Sequence, residues 1–177
     1  FADSREDLDV VVDALTANER IHGYVRFSYP KKVPDDFRGP WKEKHRGSIE
    51  VKSIEVTGQG DLTSAIEFIQ PDDGNPQDKT VFQVRLPRPV PPGASVEFRI
   101  AFQSNLPETV ARTGYKRDFI FAAQWFPKVG VWWRGAWNCH QFHASTEFFA
   151  DYGTYDVSIT IPANYVIGAT GGIPKEE

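Results

Sequence analysis

The feature that most constrains this chain is a series of short segments in which apolar and polar residues alternate. The clearest is segment 94–102, which has an apolar residue at every second position: Val96, Phe98, Ile100 and Phe102. Successive side chains of a β-strand point to opposite faces, so a period of two predicts a strand with one buried face. A chain rich in such segments is expected to build sheets rather than a helical bundle.

Similar segments recur along the chain between turn sequences rich in Pro, Gly, Asp and Asn. The further strands predicted from them are 21–29, 49–56, 62–70, 79–86, 117–125, 146–150, 154–161 and 165–169. In segment 49–56 the alternation changes phase at Lys52 and Ser53, which predicts a β-bulge. Segment 31–46 is charged and interrupted by Pro and Gly, as is typical of a surface loop. Short strands at roughly ten-residue spacing predict a mainly β fold, either an antiparallel sandwich or a barrel.

Segment 4–20 is the exception, because its apolar residues follow a helical period. Four of them fall at i, i+3, i+4 and i+7 and would share one helix face: Leu8, Val11, Val12 and Leu15. Acidic residues near its start suit the positive end of a helix dipole. The sequence therefore predicts one short N-terminal helix.

The size and charge of the chain limit the number of domains it can form and the kinds of partner it can bind. Its 177 residues fit one domain, and we expect a single β domain over 1–177. In that domain, 1–46 is an irregular or helical N-terminal segment and 47–172 is the core. The net charge of −4 argues against a nucleic-acid partner, since phosphate binding requires a basic surface. The chain begins at Phe1 and contains no Met, so we expect it to be a fragment of a longer chain.

Motifs for the common catalytic sites are absent from the sequence. It has no His-Glu-x-x-His pair for zinc, no phosphate-binding loop, no Gly-x-Gly-x-x-Gly and no nucleophile elbow. Its acidic residues include no adjacent pair in an apolar setting, and we interpret them as solvating charge. We therefore expect no catalytic residues and no activity in this chain alone.

Cys139, His140 and His143, with Glu147 nearby, are the one group that has the chemistry of metal ligands. Thiolate and imidazole are good zinc donors, which makes these residues weak candidates for a metal site. In an extended segment, however, His140 and His143 would point to opposite faces. The alternative is a buried Cys and two His whose ring nitrogens bond to backbone or carboxylate groups. We favour this structural interpretation, so no metal is expected in this chain.

Four of the five Trp lie within thirteen residues: Trp125, Trp132, Trp133 and Trp137. Such rings fill cores and domain interfaces, which we favour here, and they also line grooves for carbohydrate or peptide. The alternative function is therefore a free-standing β-sandwich module that binds carbohydrate or peptide on these rings. Gln124, beside Trp125, has an amide that can hydrogen-bond a substrate amine or carbonyl. More often, such an amide hydrogen-bonds groups of its own loop.

Two stretches carry a pattern found in a known family. Segment 86–107 reads LPRPVPPGASVEFRIAFQSNLP, and FAAQWFPKVGVW is followed by WNCHQFH and EFFADYGTYDVSITIPANYVIGATG. The first resembles a proline-broken strand pair in the N-terminal β-domain of the aminopeptidase N family of zinc metallopeptidases. The second resembles the same domain in a bacterial branch, where Gln, two aromatic residues and Pro precede a Tyr-Asp-Val…Pro…Ala-Thr-Gly strand pair. The likeness covers about 47–172; the family usually begins with paired strands, so the helix predicted for 4–20 departs from it.

The resemblance implies a saddle-shaped antiparallel β-sandwich that packs against a thermolysin-like catalytic domain of the same polypeptide. In the family that domain supplies the zinc, the His-Glu-x-x-His helix and the general base, so this chain would be a non-catalytic domain without a cofactor. The β-domain forms one wall of the peptide cleft and offers a Gln or Glu near the free amine of the substrate; Gln124 is the nearest match. Bacterial members of the family are often exported, to the periplasm among other places, but the sequence itself does not give the compartment of this chain. An isolated domain with an aromatic face is expected to dimerise or to have modest solubility.

Overall fold

A computed structural model of the chain describes residues 6–13, 24–28, 47–108, 113–143 and 149–172. Within these ranges the chain is mainly β, with antiparallel sheets and a single 3-10 turn at Thr63–Ala65. The strands are β1 Glu6–Asp13, β2 Tyr24–Ser28, β3 Ser48–Val56, β4 Gly60–Asp61, β5 Glu67–Phe68, β6 Val81–Arg85, β7 Ser95–Asn105, β8 Gly114–Lys116, β9 Phe119–Phe121, β10 Lys128–Val129, β11 Val131–Trp133 and β12 Ala136–Asn138. No helix among these residues has the length and apolar character needed to cross a membrane.

The first four-stranded sheet has the order β1-β7-β3-β4. Its centre is β7, which pairs antiparallel with the eight residues of β1 on one side and with β3 on the other. The register of β3 shifts between Val51 and Ser53, which confirms the bulge predicted at Lys52 and Ser53. Segment 49–56 is therefore one strand whose inward face changes phase at the bulge.

The second four-stranded sheet has the order β10-β2-β6-β5, and two hairpins, β8–β9 and β11–β12, complete the described strands. Strands β2 and β6 confirm the predictions for 21–29 and 79–86 over Tyr24–Ser28 and Val81–Arg85. The β11–β12 hairpin turns at Arg134 and Gly135, which both have positive φ, 51° and 79°. Positive φ at both central residues is the geometry of a type I′ turn.

The two four-stranded sheets contribute side chains to one hydrophobic core. Phe27 of β2 stacks on Phe82 of β6 with ring centroids 5.0 Å apart, and it meets Phe98 of β7 edge-on at 5.4 Å. The other buried members of this core are Ile54, Val56, Leu62, Val84, Leu86, Val90, Val96 and Ile100. All four alternating residues of segment 94–102 are buried, which confirms the strand and its inward face.

The N-terminal helix predicted for 4–20 is wrong over 6–13, which form strand β1. In the register of the β1–β7 pair, Leu8 lies opposite Ile100, Val10 opposite Phe98 and Val12 opposite Val96. Three consecutive Val residues have a stiff, β-branched side chain that favours a strand. These residues are a strand because they pair with β7, which is distant in the sequence. Their local helical period does not determine their structure. Residues 14–20 lie outside the described part of the chain.

Two more predicted strands are wrong in detail. Segment 117–125 is not one strand, because Arg117 adopts left-handed backbone with φ 56° and turns the chain from β8 into β9. Segment 62–70 contains the 3-10 turn and only two strand residues, Glu67–Phe68. In both segments a tight turn interrupts the alternation of apolar and polar residues from which a continuous strand is predicted.

The C-terminal strands predicted for 154–161 and 165–169 do not form among the described residues, where both segments are mostly exposed. Alternation makes a segment amphipathic, but a strand also requires a neighbour to complete its backbone hydrogen bonds. No described strand pairs with either segment. Segment 31–46 and most of 146–150 lie outside the described residues.

Candidate functional site

Gln124 lies in the loop between β9 and β10 and has left-handed backbone, with φ 54°. A residue with a Cβ rarely adopts this conformation, so the surrounding contacts must hold it there. Its amide oxygen accepts a hydrogen bond from Nζ of Lys128, the first residue of β10. The side chain that the resemblance assigns to a substrate amine thus binds an ammonium group of its own chain.

Lys128 is half-buried beside Gln124 and Phe126. Its Nζ lies 5.9 Å from the centroid of the Phe126 ring, within the range of a cation–π interaction. Burial lowers the pKa of Lys128 below its ordinary value, because the charged form loses hydration. An amide oxygen and an aromatic ring together form a position suited to a primary ammonium group.

A chain of aromatic contacts connects this loop to the core on one side and to the surface on the other. Trp125 packs against Phe102 of β7 with centroids 5.9 Å apart and against Phe126 at 5.5 Å. Phe126 in turn lies 6.0 Å from Tyr155, whose side chain is 61% exposed. The contact of Trp125 with β7 fixes the loop that carries Gln124 to the central strand of the first sheet.

The other three Trp of the cluster at 125–137 lie on the β11–β12 hairpin. Trp132 and Trp137 are cross-strand partners with ring centroids 5.1 Å apart and planes at 76°, and Trp137 also packs against the core. Trp133 is 56% exposed, and the Arg134 guanidinium lies 4.4 Å from its ring centroid. Among the described ring pairs, none joins Trp125 to these three. Trp132 and Trp137 thus meet edge to face, whereas Trp125 packs against Phe102 and Trp133 lies against Arg134.

A second polar cluster joins Asp72, in the loop between β5 and β6, to the segment that follows β12. Nδ1 of His140 lies 2.6 Å from Oδ1 of Asp72, and Nε2 of His143 lies 3.3 Å from Oδ2. The second ring nitrogen of His140 is 2.7 Å from the side-chain oxygen of Asn138. Burial alone would raise the pKa of Asp72, but hydrogen bonds from His140 and from the backbone amide of Gln141, with the attraction of His140, lower it below its usual range.

Gln141 completes the connection between these two segments and is only 2% exposed. Its side-chain oxygen accepts hydrogen bonds from the backbone amides of Asp72 and Asp73, at 3.1 and 3.4 Å. Its side-chain nitrogen donates to Oδ1 of Asp73 at 2.9 Å. Sequence reasoning missed these partners, because the only signal was the turn chemistry of PDDGNPQD and the contacts span almost seventy positions.

The metal candidates of the sequence separate in the structure. Cys139 is buried, whereas His140 and His143 both contact Asp72. The two His thus share one carboxylate. An extended segment would place them on opposite faces, and this is not the arrangement that the structure has. Across the described ranges, no group of three or more His, Cys, Asp or Glu side chains could hold a metal ion. Glu147 lies outside those ranges.

A surface hollow of about 460 Å³ lies between the turn at 57–59 and the proline-rich segment 88–91. The guanidinium of Arg88, one of its lining residues, donates to the carbonyl of Gly58. None of the site residues predicted from the sequence lines this hollow. It is therefore separate from the position formed by Gln124 and Lys128.

No protein-family model, no curated protein and no solved structure matches this chain. What the chain does is therefore inferred from its own residues and their geometry.

Proposed function

We propose that this chain is the non-catalytic N-terminal domain of a zinc-dependent aminopeptidase. In this proposal the domain is an antiparallel β-sandwich that packs against a thermolysin-like catalytic domain of the same polypeptide. It forms part of the wall of the peptide-binding cleft, and the zinc belongs to the catalytic domain. The core shared by the two four-stranded sheets supports a sandwich, because both sheets bury a face against the same side chains.

The observation that carries the proposal is the apolar surface of the second half of the chain. Its large apolar side chains that are more than half exposed are Phe119, Trp133, Phe149, Tyr152, Tyr155, Val157, Ile159 and Val166. Where such side chains adjoin in one continuous patch, they mark a site of protein contact. A domain that docks on a larger neighbour would cover it.

Two strands near the N-terminus also support the proposal. The family that the sequence resembles usually begins with paired strands, and the predicted helix was a departure from that pattern. Residues 6–13 and 24–28 are strands, although they lie in different sheets and do not pair with each other. They pair with β7 and β6, respectively.

The proposed role of Gln124 is to accept a hydrogen bond from the free amine of the peptide. Its amide oxygen already accepts one from an ammonium group, that of Lys128, which supports its chemical suitability. An amide oxygen is a neutral acceptor, so it can accept a hydrogen bond from a charged amine without forming an ion pair.

The coding sequence that follows Glu177 tests this proposal. It is expected to continue into a segment with a His-Glu-x-x-His helix, because the catalytic domain must supply the zinc ligands and the base. A stop codon shortly after Glu177 would contradict the proposal.

Titration of Trp fluorescence with oligosaccharides tests the carbohydrate-binding alternative. The planes of Trp132 and Trp137 are inclined at 76°, so these two rings do not form one flat surface for stacking a sugar ring. We therefore expect a flat response, whereas a saturable response would favour the binding module over the aminopeptidase domain.

A further inference from the structure

We propose that the amide oxygen of Gln124 is an ammonium-binding position occupied by Lys128, and that the free amine of a peptide binds there by displacing Lys128. Lys128 would then be a positioning residue that occupies the site until a substrate amine arrives. This inference rests on the proposed function, which assigns Gln124 to the peptide amine.

The two groups that would bind the Gln124 amide oxygen, the Lys128 ammonium and the free amine of a peptide, are chemically alike. A Lys side chain and a peptide N-terminus both end in a primary ammonium group, which has hydrogen-bond donors and no acceptor. Gln124 offers an amide oxygen to that group, and the Phe126 ring lies 5.9 Å from it. An amide oxygen and an aromatic face recognise the cation itself and not the chain that bears it. A position that holds one ammonium group can therefore hold the other.

The present occupant is held by neutral partners. Within the described residues, no carboxylate forms an ion pair with Lys128. Its burial disfavours the charged form, as the lowered pKa of Lys128 shows. Displacement would return the Lys128 ammonium to water on a flexible four-carbon stem, where it regains hydration. The exchange thus replaces one cation with another and leaves no buried charge without a partner.

The backbone that carries the receiving group is fixed to the sheet. Gln124 has left-handed backbone, and its neighbour Trp125 packs on Phe102 of the central strand. A residue in that conformation persists only where the surroundings fix it, so we expect the loop that carries the amide to stay in place while the Lys128 side chain moves. Tyr155, next to Phe126 and 61% exposed, lies on the side that faces solvent.

The test is a titration of the 177-residue chain with leucinamide, followed by the NMR signals of the Gln124 side-chain amide. N-acetyl-leucinamide, which lacks the free amine, is the matched ligand control. In Lys128→Met the competing ammonium is removed at similar length, and we expect leucinamide to bind about tenfold more tightly than in the wild type. Lys116→Met removes an exposed ammonium from the β8 strand and should leave the affinity unchanged. In the wild type, the Lys128 Nζ signal should shift as leucinamide binds, which tests displacement without any variant.

Several outcomes would overturn the proposal, and they can be told apart. If Gln124 responds to leucinamide but Lys128→Met binds it no better, Lys128 does not occupy the amine position, while the role of Gln124 stands. If the Lys128 Nζ signal stays fixed while the Gln124 amide shifts, displacement is likewise wrong. If Gln124 responds to neither ligand in either protein, its role in the proposed function falls as well. An equal response to the acetylated ligand would show that the site does not select an amine.

Discussion

Oδ1 of Asp72 lies 2.6 Å from Nδ1 of His140, although 68 positions separate the two residues in the sequence. This contact fastens the loop between β5 and β6 to the segment that follows the β11–β12 hairpin. The backbone amide of Gln141 donates to the second oxygen of Asp72 at 2.6 Å. The carboxylate of Asp72 is thus the centre of the connection between these two segments.

Asp72→Asn is expected to destabilise the chain by about 1–2 kcal/mol near pH 6, because charge-assisted hydrogen bonds become neutral ones. The folded-state pKa of Asp72 is lowered, so its stabilisation is present above the ordinary value of 3.8 and is lost as the pH falls through the lower folded value. Urea denaturation of both proteins from about pH 6 to about pH 3 should show the difference shrinking at the acid end. Asp151→Asn, which makes the same change at an exposed position, is the control. If Asp72→Asn is as stable as the wild type near pH 6, the hydrogen bonds of Asp72 contribute nothing to the free energy of unfolding.

Gly130→Ala is expected to destabilise the chain by about 1–3 kcal/mol through overpacking. A Cβ at Gly130 would lie 2.9 Å from Cβ and 3.0 Å from Sγ of the buried Cys139, and 3.2 Å from the carbonyl of Arg26. Gly168→Ala, where a Cβ would meet nothing within 4 Å, should leave thermal unfolding unchanged. If both variants unfold at the same temperature as the wild type, the packing of Gly130 against Cys139 is looser than described.

Phe98→Ala is expected to cost about 3–5 kcal/mol, because it leaves a cavity where the two sheets meet. The Phe98 ring is fully buried and touches Phe27 of the other sheet. Phe119→Ala removes the same ring from a position that is 60% exposed, and its effect should stay within about 0.5 kcal/mol. Similar losses in the two variants, measured by urea denaturation, would argue against one shared core.

Much of the sheet could be predicted from local patterns. The alternation of 94–102 and the phase change at Lys52 and Ser53 both report which face of a strand is buried, and the structure confirms them. The N-terminal helix failed for a physical reason: a helical period and a short alternating run coexist in the same residues. Pairing with β7, which no local window contains, decided between them.

The polar clusters were harder to predict than the strands. His140 was identified as a residue with ligand chemistry, but its partner Asp72 lies in a distant loop. Lys128 was not singled out at all, since a single Lys near the start of a short strand has no distinctive pattern. Its partner Gln124 has left-handed backbone, a conformation that a residue other than Gly rarely adopts and that the local sequence does not indicate.

Val157→Thr is expected to change the free energy of unfolding by less than about 0.5 kcal/mol and to reduce self-association of the chain, because Val157 is 53% exposed. Val84→Thr makes the same change at a fully buried position and should cost about 1–3 kcal/mol. Sedimentation velocity measures association, and urea denaturation measures stability. Unchanged association in Val157→Thr would show that this segment is not part of a contact surface.

The central claim, that this chain is the non-catalytic wall domain of a zinc aminopeptidase, is tested most directly by one paired assay. Zinc content after dialysis and hydrolysis of leucine p-nitroanilide are measured for the 177-residue chain and for the polypeptide extended through its coding sequence. We expect neither zinc nor hydrolysis in the chain alone, and both in the extended polypeptide. Hydrolysis by the chain alone, or an extended polypeptide with neither property, would contradict the account.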